Sequence, residues 1–151
     1  MASSIEQLSF ELTTDALAEQ ERALAALRAR AGTVLAAASI AGSFFGAKTN
    51  HGTLGALGAL AMVAFLLCVG SSIWILLPHA FVFAFDGEGL LAESDHHGTI
   101  SLAEAYRSAG IWIGPQLETN RREIDYLSDC LALSCLLLGT EVILWTLSLV
   151  G

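Results

Sequence analysis

The chain has 151 residues, of which 54% are hydrophobic and only 15% charged, and its mean hydropathy is +0.62. A soluble domain carries about 25% charged residues, so the balance is that of a single small integral membrane domain and not of a water-soluble one. The net charge of −8 excludes a nucleic-acid partner, which requires a basic footprint.

The first residues, "MASSIEQLSFELTTD", are acidic and lack the basic start and early apolar core of a secretory signal. Neither end carries a lipidation motif. Ser3 with Glu6, and Ser4 with Gln7, have the spacing of helix capping boxes. From about Asp15, "ALAEQERALAALRARA" reads as a helix with Leu17, Leu24 and Leu27 on one side. Its apolar face is weak, because alanine supplies much of it. Two readings stay open for this arm: packing on neighbouring copies, or a solvated helix that frays.

The first apolar run, residues 31–47, is at the short end of a membrane span. Within it Ala38, Gly42 and Gly46 recur every four residues, a row of small side chains that lets another helix approach closely. A polar loop, "KTNHG" at 48–52, separates it from an uncharged run at 54–77, which Pro78 ends. That second run is the strongest spanning segment, and the short loop makes the pair an antiparallel hairpin.

After it, Phe81, Phe83 and Phe85 alternate before "DGEG" breaks the pattern. Ser101 and Glu104 have capping-box spacing and open a short helix to about Ser108, which Gly110 and Gly114-Pro115 are expected to interrupt or kink. A further helix is predicted from near Pro115. It carries the opposite-charge pairs Glu118–Arg122 and Arg121–Asp125 at i,i+4 and runs into a last apolar run from Tyr126 to Val150.

These elements define an all-α integral membrane protein with three transmembrane helices. It comprises an amphipathic cytosolic helix (1–30), a transmembrane hairpin (31–78), a cytosolic insert with short helices (79–125) and a third transmembrane helix (126–151). Arg22, Arg28 and Arg30 precede the first span, and Arg107, Arg121 and Arg122 lie between the second and third. Only Lys48 falls in the opposite loop, so six of the seven basic residues share one side. The positive-inside rule places the N-terminus in the cytosol and the C-terminus outside.

The last span contains one carboxylate, Glu141. At a helix centre it costs about 3 kcal/mol on insertion scales, if it behaves like aspartate. Nine leucines in the span, at roughly −0.5 kcal/mol each, offset that cost. Ser134, Glu141 and Ser148 are seven residues apart and therefore share one stripe, which should face protein or water and not lipid. Ser39 and Ser43, at matching depth in the first span, are candidate hydrogen-bond donors to it. Lys48 and His51 reach it only if the helices are offset. The stripe either lines a pore or proton-sensitive gate in an oligomer, or holds a protonated carboxyl that sets helix packing.

Other chemistry is sparse. Cys68, Cys130 and Cys135 form no C-x-x-C or Cys/His pattern and read as small packed thiols. Glu93, Asp95, His96 and His97 cluster in "ESDHHG", but adjacent histidines do not share a helical face and no second cluster completes a ligand set. No nucleotide-binding or nucleophile-elbow motif occurs. The chain is therefore expected not to be an enzyme, with no catalytic residue, no metal and no cofactor. Its expected partners are membrane lipids and further copies of itself.

The succession "ERALAALRARAGTVLAAASIAGSFFGA", "LLPHAFVFAFDGE" and "NRREIDYLSDCLALSCLLLG" resembles, in its layout, small bacterial membrane effector modules of nucleotide-signalling anti-phage systems of the Pycsar and SLATT type. The resemblance spans most of the chain and implies a module of the bacterial inner membrane that oligomerises and compromises it when triggered. Some of those modules carry a separate cyclic-nucleotide-binding domain, for which 151 residues leave no room. A trigger would then act on residues 79–125, on the N-terminal arm, or through a partner. Two other functions fit the same sequence: a non-conducting accessory subunit of a larger membrane complex, and a small transporter.

Overall fold

A computed structural model describes residues 5–46, 55–81 and 101–150. The capping boxes at Ser3 and Ser4, the loop with Lys48 and His51, Phe83 and Phe85, "DGEG" and "ESDHHG" lie outside these residues. The described chain is all-helical: α1 is Ile5–Gly46, α2 is Ala56–Leu76 and α3 is Leu102–Val150. All three are long and apolar enough to cross a membrane. At about 1.5 Å per residue, the 21 residues of α2 rise about 32 Å, close to the hydrocarbon thickness of a bilayer.

α1 runs unbroken from the polar arm into the first apolar run, with no proline and few glycines in residues 5–46. The interruption expected at Gly110 and Gly114-Pro115 does not occur, since α3 continues through them. A proline inside a helix removes one backbone bond, here to the carbonyl of Ile111, at a cost of about 3 kcal/mol. Pro115 and Ile111 are both exposed, so the ring and the freed carbonyl lie on the outer face and not in the packed seam. The start of α3 does follow its sequence signal. The Ser101 backbone N–H donates to Glu104 Oε2 at 3.0 Å, and the Glu104 N–H donates to Ser101 Oγ at 3.3 Å, which is a reciprocal capping box.

The chain divides into two compact units. The first comprises Met1–Leu24 and His79–Ile124. In it the start of α1 lies along the start of α3 in parallel. Phe10 and Tyr106 bring their ring centroids to 5.3 Å, and Gln20 Nε2 donates to the Leu117 carbonyl at 2.9 Å. Leu17, Leu24, Ala109 and Ile113 are its buried apolar residues. The N-terminal arm thus packs on a helix of its own chain, where the sequence suggested either a neighbouring copy or solvent.

The second unit comprises Ala25–Pro78 and Asp125–Gly151, and holds the apolar parts of α1 and α3 with α2. Its core is Leu27, Ala31 and Ala38 of α1, Ala61, Ala64, Cys68 and Ile75 of α2, and Leu127 and Trp145 of α3. Buried positions recur every seven residues: Ala31 and Ala38; Ala61, Cys68 and Ile75; Leu127, Ser134 and Glu141. That is the period of a knobs-into-holes seam. Small side chains at it let the helices come close, the usual source of cohesion where lipid supplies no hydrophobic drive.

Candidate functional site

The seam of the second unit becomes polar toward the middle of α3. Ser134 and Glu141 are both 0% exposed, because each occupies a seven-residue repeat position continuing from Leu127. The Ser134 and Ser71 hydroxyls lie 2.7 Å apart, bridging α3 and α2. Ser134 Oγ also reaches the Cys130 carbonyl at 2.9 Å, and Ser71 Oγ reaches the Leu67 carbonyl at 2.9 Å. Each hydroxyl has a single proton, so one donates across the interface while the other donates back along its own helix. The Cys68 thiol donates to the Ser134 carbonyl at 3.3 Å, a second tie between the same helices.

Glu141 lies two turns further along. Neither of its carboxyl oxygens makes a hydrogen bond among the described residues. The Trp145 indole N–H, one turn on, is near enough to interact electrostatically but does not meet hydrogen-bond geometry with the carboxyl. Arg28, Arg30, Asp125 and Asp129 are the other charged residues described in this unit, and they gather where α1 enters it and α3 begins in it. Among the described residues no cation therefore lies beside Glu141, and an unpaired buried charge is costly.

The stripe of the third helix is thus turned into the bundle of a single chain. Ser148 is half-buried at its far end. The outer surface of this part of α3 is apolar, with Leu133, Leu136, Val142, Ile143 and Leu147 exposed. Ser39 and Ser43 do not serve Glu141: their hydroxyls bond back to the Leu35 and Ser39 carbonyls at 2.8 and 2.7 Å, and both side chains are exposed. They line, with Gly42, Met62, Phe65 and Trp145, an open cleft of about 300 Å³. In the small-residue row, Ala38 is fully buried and a Cβ at Gly42 would stand 3.0 Å from Phe65 Cε2. Gly46 is the last residue of α1. The row draws α1 onto α2 of the same chain.

The cysteines differ among themselves. Cys68 is packed in the seam, Cys130 is half-buried and Cys135 is exposed, and all three are free thiols. Sequence reasoning missed Ser71 and Cys68 as partners of Ser134, because the α2 run carries no polar period that marks which face meets α3. Among the described residues no group of three or more His, Cys, Asp and Glu side chains is arranged to hold a metal.

An all-helical chain with three helices long and apolar enough to span a bilayer, closing a carboxyl into its own seam, is of the class of multi-helix membrane proteins. No protein-family model, curated protein or solved structure matches it.

Proposed function

We propose that this chain is a self-associating protein of the bacterial inner membrane, N-terminus cytosolic and C-terminus outside, that permeabilises the membrane when its bundle opens. The closed bundle is the resting form, with Ser134 and Glu141 held inside. On triggering, the third helix turns its Ser134–Glu141–Ser148 stripe toward neighbouring copies, and water reaches the carboxyl. The reading is supported above all by Glu141 itself, a fully buried carboxyl with no cation beside it among the described residues. A leucine there would pack and insert better by about 3 kcal/mol, so packing alone gives no reason for the glutamate. The layout likeness to membrane effector modules of anti-phage systems agrees with this reading, as does the exposed apolar surface of α2 and α3.

The test is inducible expression in bacteria with a membrane-potential dye. Wild-type protein, expressed to a level at which copies open without the trigger, depolarises the cells. Glu141→Leu at the same level leaves the potential intact and, in detergent, gives a bundle at least as stable as wild type. A Glu141→Leu protein that depolarises cells as well as wild type, with the oligomer intact, overturns the proposal.

A second reading is a non-conducting accessory subunit. It is favoured by the burial of Ser134 and Glu141 within one chain, which leaves no charged side chain exposed on α3 beyond Asp129 among the described residues. It requires a distinct larger membrane protein to co-purify at a fixed ratio in mild detergent. The effector reading requires copies of this chain alone. A third reading, a small transporter, draws only on the intramembrane carboxyl, and it requires a solute gradient to drive uptake into vesicles.

A further inference from the structure

Between α1 and α3, where the charged end of the second unit gives way to its apolar part, runs an open groove of about 500 Å³. Its lining is ordered by depth. Arg30 and Ser128 supply one cation and one hydroxyl at the end where the charged residues gather. Val34, Leu131 and Thr33, whose hydroxyl donates to the Ala29 carbonyl at 3.1 Å, stand about one turn further along, and Cys135 a turn beyond. Arg30 is exposed, and no carboxylate lines the groove; Asp125 and Asp129 lie on neighbouring α3 positions outside it. Among the described residues Arg30 is held in no ion pair.

We propose that this groove binds one anionic phospholipid. Its phosphate lies against the Arg30 guanidinium and takes a hydrogen bond from the Ser128 hydroxyl. One acyl chain lies along Val34, Leu131 and Cys135. Three features select this occupant. The polar-to-apolar order along the groove matches a headgroup followed by a hydrocarbon tail, which neither a soluble anion nor an apolar solute presents. The single uncompensated cation matches a single phosphate charge. The groove also sits where the positive-inside rule places the cytoplasmic leaflet, where basic pockets between spans bind acidic headgroups. The proposal rests on the membrane placement given above, but not on pore formation.

The full-length chain is reconstituted in nanodiscs containing phosphatidylglycerol and phosphatidylcholine of identical acyl chains. It is then released into mild detergent, and the retained lipid is counted by native mass spectrometry. The expected result is one retained lipid per chain with about a fivefold preference for the anionic one, the ratio expected of one interfacial arginine. Arg30→Ala brings the preference close to unity, Arg30→Lys restores most of it, and Val34→Trp, which fills the groove, releases both lipids. Helical content by circular dichroism confirms that each variant is folded.

Equal retention of the two lipids by wild type, or an unchanged preference in Arg30→Ala, overturns the proposal. So does displacement of the lipid by millimolar glycerol phosphate, which would make this a site for a soluble anion. A Cys135–Cys135 crosslink between lipid-free copies would show that a second chain fills the groove, and overturns it likewise. Recovery of the chain without any amphiphile defeats the membrane placement itself, an outcome separate from the loss of lipid preference.

Discussion

Glu104 shows how much one side chain at a helix end can encode. The Ser101 hydroxyl, and after it the Ser101 backbone N–H, donate to its carboxylate and hold it below the ordinary 4.5. Because the folded value is depressed, the contribution of the box to the first turn of α3 is complete above the ordinary carboxylate value. It is lost as pH falls through the lowered one. The Ser101 amide resonance should therefore titrate with a midpoint below 4.5, and Glu104→Gln should abolish that titration while leaving α3 helical. A midpoint at or above the ordinary value would show that the box does not persist in solution. The box was readable in advance because capping depends on residues three apart and on little else. The partners of Ser134 were not, since Ser71 lies 63 positions away and only packing joins them.

Helices are where local rules and tertiary contacts compete. Gly110, Gly114 and Pro115 argue for a break in α3, and the break is absent because the exposed side of the helix absorbs the proline. The seven-residue repeat behaves differently: it is visible in sequence as Ser134, Glu141 and Ser148, and it continues through buried positions of all three helices. α2 approaches α1 closely at Gly42, where an added Cβ would meet Phe65 at 3.0 Å. Gly42→Ile should lower the stability of the bundle by about 1–3 kcal/mol through overpacking, measured by denaturant titration in micelles. Phe65→Ala should remove most of that loss when combined with it. Strictly additive effects of the two substitutions would mean that this contact does not set the spacing of α1 and α2.

For the molecule as a whole, the arginines predict a direction across the bilayer and the helices supply the crossings. Single-cysteine labelling with a membrane-impermeant maleimide tests the direction in intact spheroplasts, in a background lacking the native thiols. Asn50→Cys should react from outside, and Arg107→Cys only after permeabilisation; the reverse pattern would invert the topology. At this scale the placement of Glu141 carries the most consequence. A stripe facing outward from a folded chain would line a pore in any ring of copies. On the proposed reading, a stripe closed into its own bundle has to be released first, which would make activity conditional on opening.

The amino-acid order alone determined the helical class, the three apolar runs, the sharing of one side by six of seven basic residues, the α3 cap and the polar stripe. Each of these is set by composition, by short spacing or by a period within one helix. Tertiary structure alone decided that Ser134 and Glu141 are buried within the bundle of one chain, that the small-residue row receives Phe65, and that the N-terminal arm lies on α3. It also brought Arg30 and Ser128 to one groove. Those pairings join residues tens of positions apart, and their selection depends on how complementary helix surfaces fit together, which no periodicity within a single segment specifies.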